Sequence, residues 1–530
     1  MNIKKTAVAM AVALSFSAAA AIPETLATLD MGDGTAGIAV DPVSRKVYVT
    51  NYTSGTMSIV GVDDASVEVA LPVGPNPRRI VFDAHRQRAY IVNDLSLGTV
   101  TVVDTKDNKV VATISVGKRP RNIAADFQAK EVYVANLDSN SLSVIDTDTD
   151  TVKATVPVGS APSMGEIDRR LGRVYVVSQL DRALHVIDQK SKEVLRVVTT
   201  GRAPGNATVD ELTGKVYVNN VRDNTIDVVD PDTISVIKTL ESGPGSTFGA
   251  TSAVYRRYYL PNAIDHSVTV VDTDTDEVLQ KVPVGASPQQ VVLNSSDGDI
   301  YVVNRGDHTV TTIDARTEQV TGNFAVGTNP WRIATGMNRV FTLNENGSRQ
   351  DSLTISTEKN TVADTAIVTE YYHKAFDHFF NSANGPETRL LADGIFGEDW
   401  DRTLTFFRVW NKEGPSRVPV CRFYSETFAP KSSHFYTPVA AECESLKAGT
   451  AWKFEEVSYY VELPDAEGSC RTGTSPIYRL YNDGMSGAPN HRLTGDKDAR
   501  DALVAKGWTP EGSGPDAVVA CGPTLRGDEL

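Results

Sequence analysis

Between about residues 24 and 365, short runs of β-branched and other apolar residues alternate with polar ones at a period of two. Gly, Asn and Asp close each run. No apolar stripe with the 3.6-residue period of a helix occurs between about residues 30 and 360. One unit shows the pattern: Ile80–Asp83, Ala89–Asn93, Thr99–Asp104 and Val110–Gly117 read as four short strands, a to d. The unit recurs. The tyrosine of a Tyr-Val-x-Asn motif marks it at Tyr48, Tyr90, Tyr133, Tyr175, Tyr217, Tyr259 and Tyr301, with Phe341 in eighth place; the spacings are 42, 43, 42, 42, 42, 42 and 40. Such a period means a repeat architecture, and four antiparallel strands per unit arranged radially make the blades of a β-propeller.

The ends set the blade number. Thr25–Gly32 reads as a strand d that lacks its a, b and c, and the eighth copy offers a (Arg332–Thr335), b (Arg339–Asn344) and c (Ser352–Ser356). Pairing the two would close the ring and leave no free edge strand. The expectation is an all-β, eight-bladed propeller over residues 22–365. Seven blades, with the last copy docked outside, is the alternative.

Tyr48-Val49-Thr50-Asn51, with Tyr133-Val134-Ala135-Asn136 and Tyr217-Val218-Asn219-Asn220, resembles the YVTN family of bacterial and archaeal secreted β-propellers. That resemblance covers about two thirds of the chain. It implies the fold and a secreted or surface location, and it leaves function open, because related propellers include lactonases and lyases.

Candidate chemistry lies in the crossovers between blades, which read Gly-x-x-Pro. Residues after the Pro would ring the channel mouth. Arg79, Arg121, Asn122, Asn206, Gln290, Trp331 and Arg332 are the candidate ligand-binding residues. Guanidinium forks suit carboxylates and phosphates, and Trp331 offers a stacking face. The plainer alternative is that these charges pair with nearby Asp. Two b–c loops carry His266 and His308, which could hold a metal or move a proton. The same slot holds Asn140, Asn224 and Gly55 elsewhere, so a turn role is the alternative and no metal is expected. The c–d hairpins carry acidic runs such as Asp146–Asp150 and Asp272–Asp276; repetition in every unit favours Asx-turn capping over calcium, and no cofactor is expected.

Composition narrows the classes. The 530 residues are 41% hydrophobic and 22% charged with a formal net charge of -15, which excludes a disordered or multi-span membrane protein and offers no basic footprint for nucleic acid. Residues 1–21 read as a signal peptide: Lys4 and Lys5, an apolar stretch Thr6–Phe16, then Ser17–Ala21 before cleavage. No later stretch is long enough to span a bilayer. A secreted or periplasmic bacterial protein is the expectation.

The pattern changes after about residue 366. Residues 366–525 hold all four cysteines; Cys421–Cys443 and Cys470–Cys521 is the pairing expected from proximity. A second repeat places His378, His434 and His491 at spacings of 56 and 57, each after a Tyr/Arg-rich strand and before a short helical stretch around Leu390, Leu446 or Leu503. It is similar to a His-aromatic triple-repeat module of unassigned role found on secreted bacterial proteins and hydrolases. A small, pseudo-threefold, mainly β domain is expected, with its histidines apart; residues 526–530 are a tail. Together these features suggest non-catalytic binding. The propeller mouth would take an anionic small molecule or an envelope protein, and the module would contact glycan. No nucleophile elbow, P-loop or HExxH occurs, so the rival, a lactonase- or lyase-like enzyme working in the funnel, rests on fold likeness.

Overall fold

The computed structural model describes residues 23–524 apart from 295–298, 338, 347–349, 358–364, 385–386, 389–390, 392–399, 428–430 and 486–488. The expected leader, the tail and Leu390 lie outside the described residues.

Eight four-stranded antiparallel sheets follow one another among the described residues. Seven use consecutive strands; in blade one these are Thr35–Asp41, Lys46–Asn51, Thr56–Gly61 and Ser66–Pro72. Blade eight joins both ends of the region. Pro330–Gly336, Arg339–Asn344 and Ser352–Thr357 take Thr25–Asp30 as their outermost strand, in a register that sets Thr28 against Thr354 and Asp30 against Ser352. The pairing is pinned at both ends, where Thr357 N donates to Glu24 O and Met31 N to Asp351 O, each at 2.8 Å. Innermost strands of successive blades touch in order, and the first touches the eighth. The ring is closed.

The repeated motifs have physical reasons. Cores form between blades: Tyr48, Met57 and Ile59 of blade one pack on Ile80, Ala89 and Ile91 of blade two. The marker tyrosines are fully buried there, and Tyr48 lies 5.3 Å from the ring of Phe82 in the next blade. The motif asparagine ties strand b to strand c. Asn136 Nδ2 donates to Ser141 Oγ (3.1 Å) and Ser143 Oγ (2.9 Å), and Asn93 and Asn304 repeat this with threonines. The crossover glycine leaves room for that asparagine. A Cβ on Gly117 would lie 2.5 Å from Asn136 Cγ, so any side chain would break the tie.

The C-terminal region is a separate, mainly β domain built on one ten-stranded sheet. Three hairpins recur: Thr365–His373 with His378–Ser382, Arg417–Ser425 with Ser433–Thr437, and Thr474–Tyr481 with His491–Thr494. Each adds a further strand, respectively Trp400–Trp410, Lys453–Glu462 and Val518–Pro523. All three repeats feed one core that includes Val368, Phe407, Val420, Tyr459, Ile477 and Val519. Helices Ala440–Ala448 and Lys497–Ala505 contain Leu446 and Leu503. The disulfides are Cys421–Cys443 and Cys470–Cys521.

Ion pairs join the repeats in a circle. Arg422 of the second binds Glu387 of the first (3.1 Å), Arg479 of the third binds Glu442 of the second (2.9 Å), and Glu370 of the first binds Arg492 of the third (2.5 Å). The last pair is reversed: Glu370 stands where the other repeats have arginine. The domain meets the propeller at a–b turns, where Gln128 Nε2 donates to Trp400 O (3.2 Å), Arg402 pairs with Glu211 (3.1 Å) and Arg408 donates to Tyr255 Oη. These turns lie at the opposite strand ends from the b–c loops and crossovers, so the contacts fall on the face away from the mouth.

Candidate functional site

The innermost strand begins at the crossover Pro itself, as in Pro77–Asp83, Pro120–Asp126 and Pro330–Gly336. The candidate residues therefore sit on strands rather than loop ends. In most blades a register shift directly follows the Pro, leaving the next residue unpaired and kinking the strand. The second residue after the Pro then turns inward: Arg79, Asn122, Asn206, Gln290 and Arg332, with Gly37 and Phe248 at the same place in blades one and six, where Thr35 and Ser246 stand for the Pro.

Phe248 shows how tightly this ring converges. The Arg79 guanidinium of blade two lies 5.6 Å over its ring, although blades two and six face each other across the axis. Arg332 of blade eight lies 4.4 Å over the same ring and 4.7 Å from Trp331. Gly37 makes room between the two arginines, since a Cβ there would lie 2.4 Å from Arg78 O.

The mouth arginines divide into two sets. Buried Asp94 gathers Arg78 (3.1 Å), Arg119 (3.5 Å) and Arg121 (3.3 Å), and Arg202 pairs with Asp223. Arg79 and Arg332 have no carboxylate partner among the described residues. Arg332 is only 7% exposed; its Nη1 donates to Gln290 Oε1 at 3.4 Å, and its Nε is buried without a partner. Burial, then the charge of Arg78, pushes the Arg79 pKa down to about 10. Burial and the charges of Arg79 and Arg78 lower that of Arg332. Two cations on one aromatic ring, one of them buried, are costly without a counter-charge.

The remaining candidates support the wall. Asn122 Nδ2 donates to Ser163 Oγ (2.6 Å), and Asn206 N donates to Asn219 Oδ1 (2.7 Å). Trp331 packs on the core between blades eight and one, with its Nε1 buried and unpartnered. His266 and His308 are left-handed turn residues (φ 55° and 63°). Their Nδ1 atoms accept from Ser287 N (3.1 Å) and Asn329 N (3.0 Å), which ties each b–c loop to the next crossover. The c–d aspartates accept backbone N–H groups; Asp146 Oδ1 takes those of Asp148 (2.9 Å) and Thr149 (3.1 Å).

Glu166 escaped the reading from sequence. In blade four the register shift moves down to Met164–Ile167, which sends Met164 into the core and carries Glu166 to the inner strand of blade five. Its Oε2 accepts from Val209 N (2.8 Å), and burial pushes its pKa up to about 7. The signal in the sequence is a glutamate at a position held elsewhere by Ala124, Thr208 and Val292. The folded protein keeps this proton between roughly pH 4.5 and 7 while the unfolded chain releases it, so stability falls as pH rises through that window. Glu166→Gln keeps an acceptor for Val209 N. It is expected to melt higher than the parent at pH 8, by about 1–3 kcal/mol after allowing for partial exposure, and to match it at pH 4. Thermal melts at the two pH values check this.

In the C-terminal domain two histidines meet rather than standing apart. His378 Nε2 lies 2.6 Å from His434 Nδ1, His434 Nε2 is 3.2 Å from Glu455, and His378 Nδ1 is 2.8 Å from Ser432 Oγ. The Glu455 carboxylate can only accept, so the chain has one direction: Ser432 donates to His378, His378 to His434, and His434 to Glu455. Both imidazoles are then neutral. The reason for the contact is the interdigitation of the first two hairpins, which also brings Tyr436 Oη to Asn381 O (2.7 Å). His491 stands apart, stacked on Tyr481 at 4.6 Å.

Comparison with known proteins adds two findings. Residues 366–517 match the profile of a family described as a domain of unknown function, DUF5648. Among solved structures, hydrazine synthase of Kuenenia stuttgartiensis is similar at 16% identity and a TM-score of 0.43, over 62% of this chain and 96% of that one. No curated protein matches the chain.

Proposed function

We propose that this is a secreted or periplasmic binding protein that takes an anionic ligand at the mouth of the propeller, between Arg79 and Arg332. The observation that carries the reading is this inward-facing pair of arginines without a carboxylate partner, beside a set of rim arginines that do reach Asp94. The disulfides agree with an oxidising compartment, as do the leader-like first 21 residues and the YVTN resemblance. Among the described residues no helix is long and apolar enough to cross a membrane. The C-terminal domain would contact glycan or the envelope; Phe376, 40% exposed and stacked on His373 at 4.2 Å, is a surface ring of the kind that sugars pack against.

The test is a calorimetric screen of small anions against the protein and its Arg79→Gln and Arg332→Gln variants. Binding to the parent that weakens roughly tenfold or more in each variant is expected, because charge-assisted hydrogen bonds are worth about 1.5–3 kcal/mol. Equal binding by all three proteins would remove the site. Glu166, a carboxyl that titrates near neutrality in the inner-strand layer, favours the second reading of a lactonase- or lyase-like enzyme. Turnover of a lactone abolished in Glu166→Gln, with anion binding retained, would establish that reading instead.

A further inference from the structure

Resting on the anion-site reading above, we infer that the axial site is built for a compact dianion, the phosphoryl group of a phosphomonoester, rather than for a monocarboxylate. Two guanidinium groups from blades two and eight share one aromatic ring, Phe248, at 5.6 and 4.4 Å. Their charges fall within one small volume. Neutralising both with separate monoanions would crowd two like charges into that volume. One dianionic group avoids this, because its three terminal oxygens can accept from both forks.

The donors are set for such a group. Arg332 lies against both Phe248 and Trp331, and Gln290 accepts from one Nη1 proton. Arg79 makes no hydrogen bond or ion pair among the described residues and keeps surface open to the channel. Asn122, Ser163, Asn206 and Gln290 are neutral hydrogen-bonding groups suited to the hydroxyls of the attached molecule. Rim residues Arg78, Arg119 and Arg121 each reach Asp94, whereas the axial pair has no carboxylate among the described residues.

The experiment is isothermal titration of the full mature chain with sulfate, inorganic phosphate, glycerol 2-phosphate and acetate at constant chloride. The expected result is one site for the dianions and at least tenfold weaker binding of acetate. Glycerol 2-phosphate should tighten between pH 5 and 7, as its second proton leaves near pH 6, while sulfate stays constant. Tighter binding of glycerol 2-phosphate than of inorganic phosphate would identify an esterified phosphoryl group, and the reverse would overturn that half of the inference in favour of the free ion. Arg79→Gln and Arg332→Gln should each weaken dianions by roughly tenfold to a hundredfold. Arg79→Lys keeps the charge but loses the fork, and serves if the glutamine variant fails to fold; it should fall between the two.

The failures separate. Acetate binding as tightly as sulfate, and lost in the variants, would leave an anion site standing and overturn the dianion. No anion binding at all, or binding that survives in Arg79→Gln/Arg332→Gln, would overturn both.

Discussion

A chain whose propeller begins at Thr35, without the strand Thr25–Asp30 and Met31, is expected not to hold a cooperative fold. The strand fills the outermost place of blade eight, against Ser352–Thr357. That partner strand is buried along nearly its whole length, so removal uncovers the unpaired edge of a core strand, which invites aggregation. Five or so ladder positions at about 0.5–1.5 kcal/mol each are lost, together with roughly 1.5–3 kcal/mol for burial of Met31, which is 1% exposed among Phe341, Leu343, Leu353 and Ile355. The total reaches the whole stability of an ordinary domain, about 5–15 kcal/mol. Because the ring has one closure, the loss is not local: blades one and eight meet through innermost strands that this sheet holds in place. Size-exclusion chromatography and thermal melts report the outcome. Met31→Asp tests the same closure without shortening the chain, by placing an unpaired charge in that cluster, and a melting temperature within about 2 °C of the parent for either variant would sink the argument.

The ring and its closure were legible because each blade repeats one solution to one packing problem. A period near 42 runs through eight copies, and the buried tyrosine and the Gly–Asn pair each recur in seven, with Phe341 and Ser178 as the exceptions, so errors at any one copy do not matter. What sequence could not resolve is which mouth arginine faces what. Arg78 and Arg79 are neighbours, yet one meets Asp94 and the other meets Phe248 from the opposite blade. That division depends on a one-residue register shift after the Pro, and blade four, where the shift moves, both buries Met164 and presents Glu166. In the C-terminal domain the repeat was visible, and the two helices described follow the second and third hairpins. The meeting of His378 with His434 was not visible, because spacing along the chain says nothing about how hairpins interdigitate. The pair Glu370–Arg492 is readable only once the three copies are superimposed: Glu370 replaces an arginine, and Arg492 stands where the other copies have Phe379 and Phe435.

Acid should unfold the C-terminal domain well before the propeller. Burial above all, then the charges of His434 and His373, lowers the His378 pKa to about 3. Burial and Arg479 lower that of His491 to about 3, against the opposing pull of Glu442. His434 is lowered by burial, with Glu455 pulling the other way. Each folded-state value lies below the unfolded one near 6.5, so the stabilisation is complete above that pH and is lost as pH falls toward 3. At pH 4.5 each of the two strongly shifted histidines costs roughly 2–3 kcal/mol, a large share of a small domain's stability. The carboxylates Glu442 and Glu455, held low by their arginine and histidine partners, lose their stabilising charge at lower pH still, so they steepen the fall rather than oppose it. Glu166 acts with the opposite sign in the propeller, which gains relative stability as it takes up its proton. Two calorimetric transitions are therefore expected to move apart on acidification. Tryptophan fluorescence separates them further, because Trp400, Trp410, Trp452 and Trp508 all lie in the C-terminal domain and only Trp331 lies in the propeller. His491→Phe removes one titrating ring from a site where it packs on Phe435 and Tyr481 and leaves its Nδ1 unpartnered. Its stability profile between pH 4 and 6 should be flatter by about one proton, or roughly 1.4 kcal/mol per pH unit. A variant profile parallel to the parent's across that range would show that these buried imidazoles do not govern the acid lability.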